Sequence, residues 1–222
     1  MNFIEVPTYR ELSERAANIL IQCVNDKPAC VLGLVCGLTP VGAYLWLSDG
    51  NRRGKVDFSS VTAINLNESE DDSAEHKQAH RRFMEERLYK HINIKQENTR
   101  LFGLSQKPQK EGYAERLEKV GGIDLLLLSV KADGGLGFPL PEEAFSKIRE
   151  VMQKGLHTAG DPTEPLPPGA LSILYAKRIL LLAKGQGKRA LLDKAFGETV
   201  DPRLPASLLQ LHPEVTVIFS PQ

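Results

Sequence analysis

The sequence predicts an α/β protein with a doubly wound, mainly parallel sheet flanked by helices. Three observations predict it. Apolar runs recur at Cys30–Val35, Val61–Leu66, Ile123–Val130 and Ile179–Ala183, with a last one at Val215–Phe219. They read as near-continuous apolar stretches, the signature of strands covered on both faces. Stretches of helical apolar spacing separate them, which is the alternation that βαβ units produce. A chain of 222 residues with 41% hydrophobic content favours one domain spanning 1–222.

Each element has its own reason. Phe3–Val6 is a short strand. Tyr9–Val24 places Leu12, Ala16, Ile19, Leu20 and Cys23 at helical spacing. Cys30–Val35, bounded by Pro28 and Gly37, is the strand around which the rest is organised. Gly37 allows a tight turn, Thr39 is a good N-cap and Pro40 suits the first helical position, so Val41–Leu47 reads as a short apolar helix. Asp49–Gly54 is a polar turn. After the strand Val61–Leu66, the acidic run Glu68–Glu75 lacks an apolar period and reads as a loop. Ala79–His91 is a helix with Phe83, Leu88 and Ile92 inward and Arg81, Arg82 and Arg87 outward. Tyr113–Val120 is helical and ends at Gly121-Gly122. Phe145–Lys154 is a helix, Gly155–Gly169 an irregular Gly/Pro-rich loop, and Ala170–Tyr175 a short helix. Arg189–Phe196 is the last full helix, and Ala206–Leu211 is a helical turn.

Composition excludes several classes. Formal net charge is +0, which removes a global electrostatic case for nucleic acid or an anionic membrane. No apolar run is long enough to cross a bilayer, and the first residues do not read as a signal peptide, so a cytoplasmic location is expected. Cys23, Cys30 and Cys36 lack metal-ligand spacing, and an odd count argues against a disulfide framework. No metal is expected.

Four strand ends carry candidate chemistry, because ligands of parallel α/β sheets sit outside the carboxyl ends of strands. At Cys36-Gly37-Leu38-Thr39 a small-residue turn opens a helix, where free N–H groups and the dipole favour an anion such as phosphate. A plain strand-to-helix turn would look the same. Lys131–Pro141 is Gly-rich with one carboxylate, Asp133. Gly185-Gln186-Gly187-Lys188 places an ammonium at another strand-to-helix turn, where it meets either a phosphate or only solvent. Asn67 and Glu68 fall at a fourth strand end, in what reads either as a functional loop or as a solvated acidic turn.

Four pieces together resemble one family. They are Gly33-Leu34-Val35-Cys36-Gly37-Leu38-Thr39-Pro40, Asn65-Leu66-Asn67-Glu68, Ala132-Asp133-Gly134 and Pro205-Ala206-Ser207-Leu208-Leu209-Gln210-Leu211-His212-Pro213. In content, order and rough spacing the chain looks like the glucosamine-6-phosphate deaminase (isomerase) and 6-phosphogluconolactonase family. The likeness covers nearly the whole chain. It is closest to the deaminase branch and its galactosamine-6-phosphate isomerase relatives. It implies a Rossmann-like doubly wound fold, no cofactor and a small-molecule sugar phosphate as partner. A homo-oligomer stays open.

Carried over residue by residue, the resemblance puts the phosphate loop on Cys36, Gly37, Leu38 and Thr39 and the phosphate-binding lysine on Lys188. Leu38 replaces the usual Gly or Ser, so its side chain is expected to crowd the loop. The family's Asp-Glu pair appears as Asn67-Glu68, and an amide at Asn67 orients a hydroxyl but abstracts no proton. The Asp-Gly-His motif appears as Asp133-Gly134-Gly135, so the ring-opening histidine is missing at Gly135. A further relay glutamate aligns with Leu140. The lid region Pro141–Pro168 looks shortened, leaving Arg149, Lys154 or His157 as stand-ins for its phosphate-binding arginine. Glu68, Glu70, Asp71, Asp72, His76 and Asp133 are the acids and bases at hand. Three functions follow from the resemblance: an isomerase or deaminase with relocated groups and impaired catalysis, a non-catalytic sugar-phosphate sensor or partner subunit, and, as a weaker match, a lactonase.

Overall fold

The computed structural model describes residues 1–66, 74–99, 112–138, 140–154, 166 and 168–222. In chain order the first half contains β1 (Asn2–Glu5), α1 (Tyr9–Asp26), β2 (Val31–Leu34), α2 (Leu38–Arg52), β3 (Thr62–Asn65) and α3 (Ala74–Arg87). The second half contains α4 (Tyr113–Lys119), β4 (Leu125–Ser129), α5 (Glu142–Gln153), α6 (Pro168–Leu174), β5 (Ile179–Lys184), α7 (Lys188–Gly197) and β6 (Val215–Ser220). The strands form one six-stranded sheet in the order β1-β6-β5-β4-β2-β3. Every pairing is parallel, as the alternation of strands and helices requires. The expected doubly wound sheet is therefore present: β2, β3 and β4 lie within the predicted runs, and β5 and β6 each extend one residue beyond theirs.

The leucine run of β4 shows why such strands carry no polar alternation. Leu126 and Leu128 enter the apolar layer that α5, α6 and α7 cover, with Phe145, Ile148, Ile173 and Leu192. Leu125 and Leu127 enter the opposite layer under α1 and α2, with Leu20, Tyr44 and Leu47. Alternate side chains point to opposite faces, so a strand with two buried faces is apolar throughout. Gly33 in β2 makes room for this packing, since a Cβ there would stand 2.5 Å from Leu126 Cδ1.

At the amino ends of the strands, Asp124 locks three segments together. Its buried carboxylate accepts hydrogen bonds from Lys27 Nζ at 2.7 Å, Lys177 Nζ at 2.8 Å and the Val31 N–H at 2.8 Å. Burial raises its pKa, but the two ammonium groups and the N–H outweigh that and hold it below the usual carboxylate value. The three cysteines are free thiols, with Cys23 and Cys30 buried.

Several boundaries differ from the sequence expectation. The helix expected over Val41–Leu47 starts at Leu38 and runs to Arg52. Thr39 is not its N-cap. Gly37 is, with φ +141°, a backbone conformation that side-chain-bearing residues rarely adopt, so the chain enters the helix two residues early. Pro40 is then the third helical residue, still in the first turn, where its missing N–H costs nothing. Most of the polar run Asp49–Gly54 is helical because Asp49 pairs with Arg52 and Arg53 one turn on. α3 begins at Ala74 and ends at Arg87, and Tyr89–His91 forms a separate 3-10 turn. α5 begins at Glu142, where Glu142 and Glu143 favour the positive end of the dipole. Most of the irregular loop predicted at Gly155–Gly169 lies outside the described residues, but Gly169 itself sits within α6. Among the described residues, no helix is long and apolar enough to cross a membrane.

Candidate functional site

From β2 the sheet continues to β3 on one side and to β4 on the other, so the strand order switches direction there. A crevice outside the carboxyl ends of the strands is expected at such a point. A cleft of about 730 Å³ occupies it, lined by Cys36, Gly37, Leu38 and Thr39 after β2, by Ser129 to Ala132 after β4, and by Lys188 after β5. His80 and Phe83 of α3, together with Gly137 and Phe138, complete the wall. The phosphate-loop residues and the lysine singled out by sequence are thus brought to one cavity.

Two helices begin at this cleft without a side-chain cap, α2 after Gly37 and α7 after Gly187. The α2 start is held by Tyr9 of α1. Its hydroxyl accepts the Gly42 N–H at 2.8 Å and lies 3.0 Å from the Thr39 oxygen and 3.1 Å from the Leu38 oxygen, either of which it can donate to. Gly42 is required there, because a Cβ would run into the Ser13 side chain. Leu38 does not crowd the turn as expected; its side chain is 84% exposed. Cys36 Sγ donates toward the His80 carbonyl oxygen at 3.4 Å and lies 3.8 Å from Asn65 Oδ1, tying the turn to α3 and to the end of β3.

Lys188 is the first residue of α7. Desolvation lowers its pKa, and the negative charge of Asp133 partly offsets that. Asp133 is exposed and sits beside the cleft rather than in its wall, with Oδ1 accepting the Gly135 N–H at 2.9 Å. The loop that carries Asp133 closes on itself through Lys131 N–H to Gly135 O at 2.8 Å. It is braced from behind by Ala206 N–H to Gly134 O at 2.9 Å. Leu140 is half-buried against the core. Arg149 and Lys154 are not among the described residues lining the cleft, and Lys154 pairs with Glu150 instead. Asn67, Glu68, Glu70, Asp71, Asp72 and His157 lie outside the described residues, as does the side chain of His76.

Residues 7–218 match the family model described as glucosamine-6-phosphate isomerases/6-phosphogluconolactonase. The chain belongs to that family. It is 39% identical over 232 residues to a glucosamine-6-phosphate deaminase of Lachnoclostridium phytofermentans, covering 98% of each chain. It is 39% identical over 225 residues to the deaminase of Clostridium tetani, covering 95% of this chain and 93% of that one. Among solved structures it resembles a monomeric glucosamine-6-phosphate deaminase at a TM-score of 0.76 and 30% identity, over 99% of this chain and 97% of that one. A 6-phosphogluconolactonase from Shewanella baltica, at a TM-score of 0.60 and 18% identity over 99% of this chain and 97% of that one, shares the fold.

Within this deaminase–lactonase framework, the segment that most strongly marks the family is structural. Ser207 is fully buried and its hydroxyl accepts the Asp201 N–H at 2.9 Å. Gln210 Nε2 donates to the carbonyls of Ala195 and Glu198 at the end of α7, and His212 Nε2 meets the Ala176 oxygen at 2.9 Å. The segment thus secures the helix bearing Lys188 and the loop bearing Asp133. Sequence reasoning placed Lys131 in a candidate loop but missed His80, Phe83 and Ser129 as cleft residues. For His80 a signal was present: it lies four residues before Met84, which is fully buried, and so shares the inward stripe of α3.

Proposed function

We propose that this chain binds a hexosamine or hexose 6-phosphate in the cleft, with the phosphate at the Gly37–Thr39 turn and Lys188. The carrying observation is that two uncapped helix N-termini and one ammonium converge on a single cavity at the sheet's switch point. Family membership supports a ligand of the kind named in the relatives' descriptions, glucosamine 6-phosphate. The reading makes Asp133 and Glu68 the surviving acids of a deaminase-like site and keeps Asn67 and Gly135 as positions without a proton-transfer group.

On this reading, glucosamine 6-phosphate is deaminated slowly. Each positioned acid or base contributes typically ~10²–10⁴-fold, and such effects do not simply multiply. Gly135 and Leu140 offer no ionisable group, and this favours a second reading in which the protein senses the sugar phosphate without turning it over. Titration calorimetry with a panel of hexose and hexosamine 6-phosphates, alongside an ammonia-release assay, separates the readings. Lys188→Ala should weaken binding by roughly 10–100-fold, the loss of one charged hydrogen bond worth ~1.5–3 kcal/mol. Unchanged affinity in that variant would rule out the phosphate placement. Ammonia release at an ordinary enzymatic rate would overturn impaired catalysis.

A further inference from the structure

Among the described residues that line the cleft, His80 is the single imidazole. It belongs to none of the four family-like motifs; α3 brings it there. Its main chain is fixed to the α2 turn through the Cys36 thiol, and its ring Nδ1 is shielded from solvent. Phe83, also in the cleft wall, and buried Met84 set the rotation of the helix about its axis. Lys131 and Lys188 line the same cleft, Asp133 acts electrostatically on Lys188, and Arg81 and Arg87 are exposed on α3 itself.

We propose that His80 is the acid–base group for aldose–ketose isomerisation of an open-chain hexose 6-phosphate held in this cleft. The inference rests on the sugar-phosphate reading above. The imidazole takes the proton from C2 of the aldose. The C2–H electron pair forms the C1–C2 double bond, and the carbonyl pair moves onto O1, giving an enediolate; the O2 proton then passes to O1, leaving the negative charge on O2. The imidazolium then returns its proton to C1 as the C2 carbonyl forms. Atoms and charge balance, and no oxidant, reductant or cofactor takes part. One group that both accepts and returns a proton suffices for this reaction. Deamination in the family calls on the further groups that Asn67, Gly135 and Leu140 lack.

The test is exchange in heavy water. The full chain is incubated with glucose 6-phosphate and fructose 6-phosphate, and deuterium entering C1 and C2 is followed by NMR. His80→Ala and His80→Gln are compared, with affinity measured separately for sorbitol 6-phosphate, which cannot isomerise. The expected result is exchange by the parent and a loss of about 10²–10⁴-fold in kcat in both variants. The Kd for sorbitol 6-phosphate stays unchanged, and free imidazole restores part of the exchange to His80→Ala. Exchange at the parent's rate in both variants overturns the proposal, as does a parent that binds sorbitol 6-phosphate but exchanges neither sugar. Loss of affinity together with rate, without imidazole rescue, makes His80 a structural residue and overturns it too. If the parent does not bind sorbitol 6-phosphate at all, the sugar-phosphate reading itself fails.

Discussion

Lys188 is electrostatically misplaced in the free protein. A cation at the first position of a helix meets the positive end of the dipole, and burial further disfavours its charge. Lys188→Glu should therefore raise stability by roughly 0.3–1 kcal/mol in urea unfolding while abolishing sugar-phosphate binding. The pH dependence has a definite sign. Because the folded state lowers this lysine's pKa, the penalty is complete below the folded value and is relieved as pH rises toward the ordinary 10.5. The stability gap between Lys188→Ala and the parent should thus close under alkaline conditions. Gly135 gives a second residue-scale test. A Cβ there would stand 3.1 Å from Asp133 Oδ1, so a side chain can start at this position once the carboxylate moves by a few tenths of an ångström. Asn67→Asp combined with Gly135→His should increase ammonia release from glucosamine 6-phosphate. An inert double variant would show that further groups are missing.

At the scale of elements, the cleft depends on how α1 clamps α2. Tyr9→Phe removes the hydroxyl that accepts the Gly42 N–H and bonds the first-turn carbonyls. It should lower stability by about 1–3 kcal/mol, seen as a lower midpoint of thermal unfolding, and weaken phosphate binding through a looser turn. The sequence carried the elements whose signals are periodic. The leucines of β4 and β5 and the inward stripe of α1 are read directly from spacing. It did not carry the start of α2, because a good N-cap residue at Thr39 competes with a backbone conformation that only Gly37 adopts easily. Nor did it carry the polar end of α2, where ion pairs one turn apart replace apolar spacing as the helix signal. His80 lies inside the predicted helix, but a polar residue one turn before Met84 does not by itself mark a cleft wall.

For the whole molecule, Asp124 ties the approach to β2, the start of β4 and the approach to β5 at the end of the sheet away from the cleft. Its folded pKa is depressed, so its contribution is present above the unfolded value of 3.8 and is lost as pH falls through the folded value. Asp124→Asn should lose about 1–3 kcal/mol at neutral pH and show a shallower decline on acidification, measured as unfolding free energy across an acid series. The cleft at the other end should keep its sugar-phosphate affinity in the folded fraction. The Cys36–Thr39 turn and Lys188 were legible because turn chemistry at strand ends is local. Their meeting in one cavity depends on strand order, which no single motif encodes.

The register of β1 against β6 has a consequence for synthesis. Asn2 lies opposite Thr216 and Glu5 opposite Phe219, and among the described residues β1 has no other strand neighbour. On the ribosome, β2 can pair with β3 soon after both emerge, whereas β1 waits until β6 has been made. Until then β1 is an unpaired strand that α1 connects to the growing sheet. A premature stop before Val215 would strip the sheet of two strands at once.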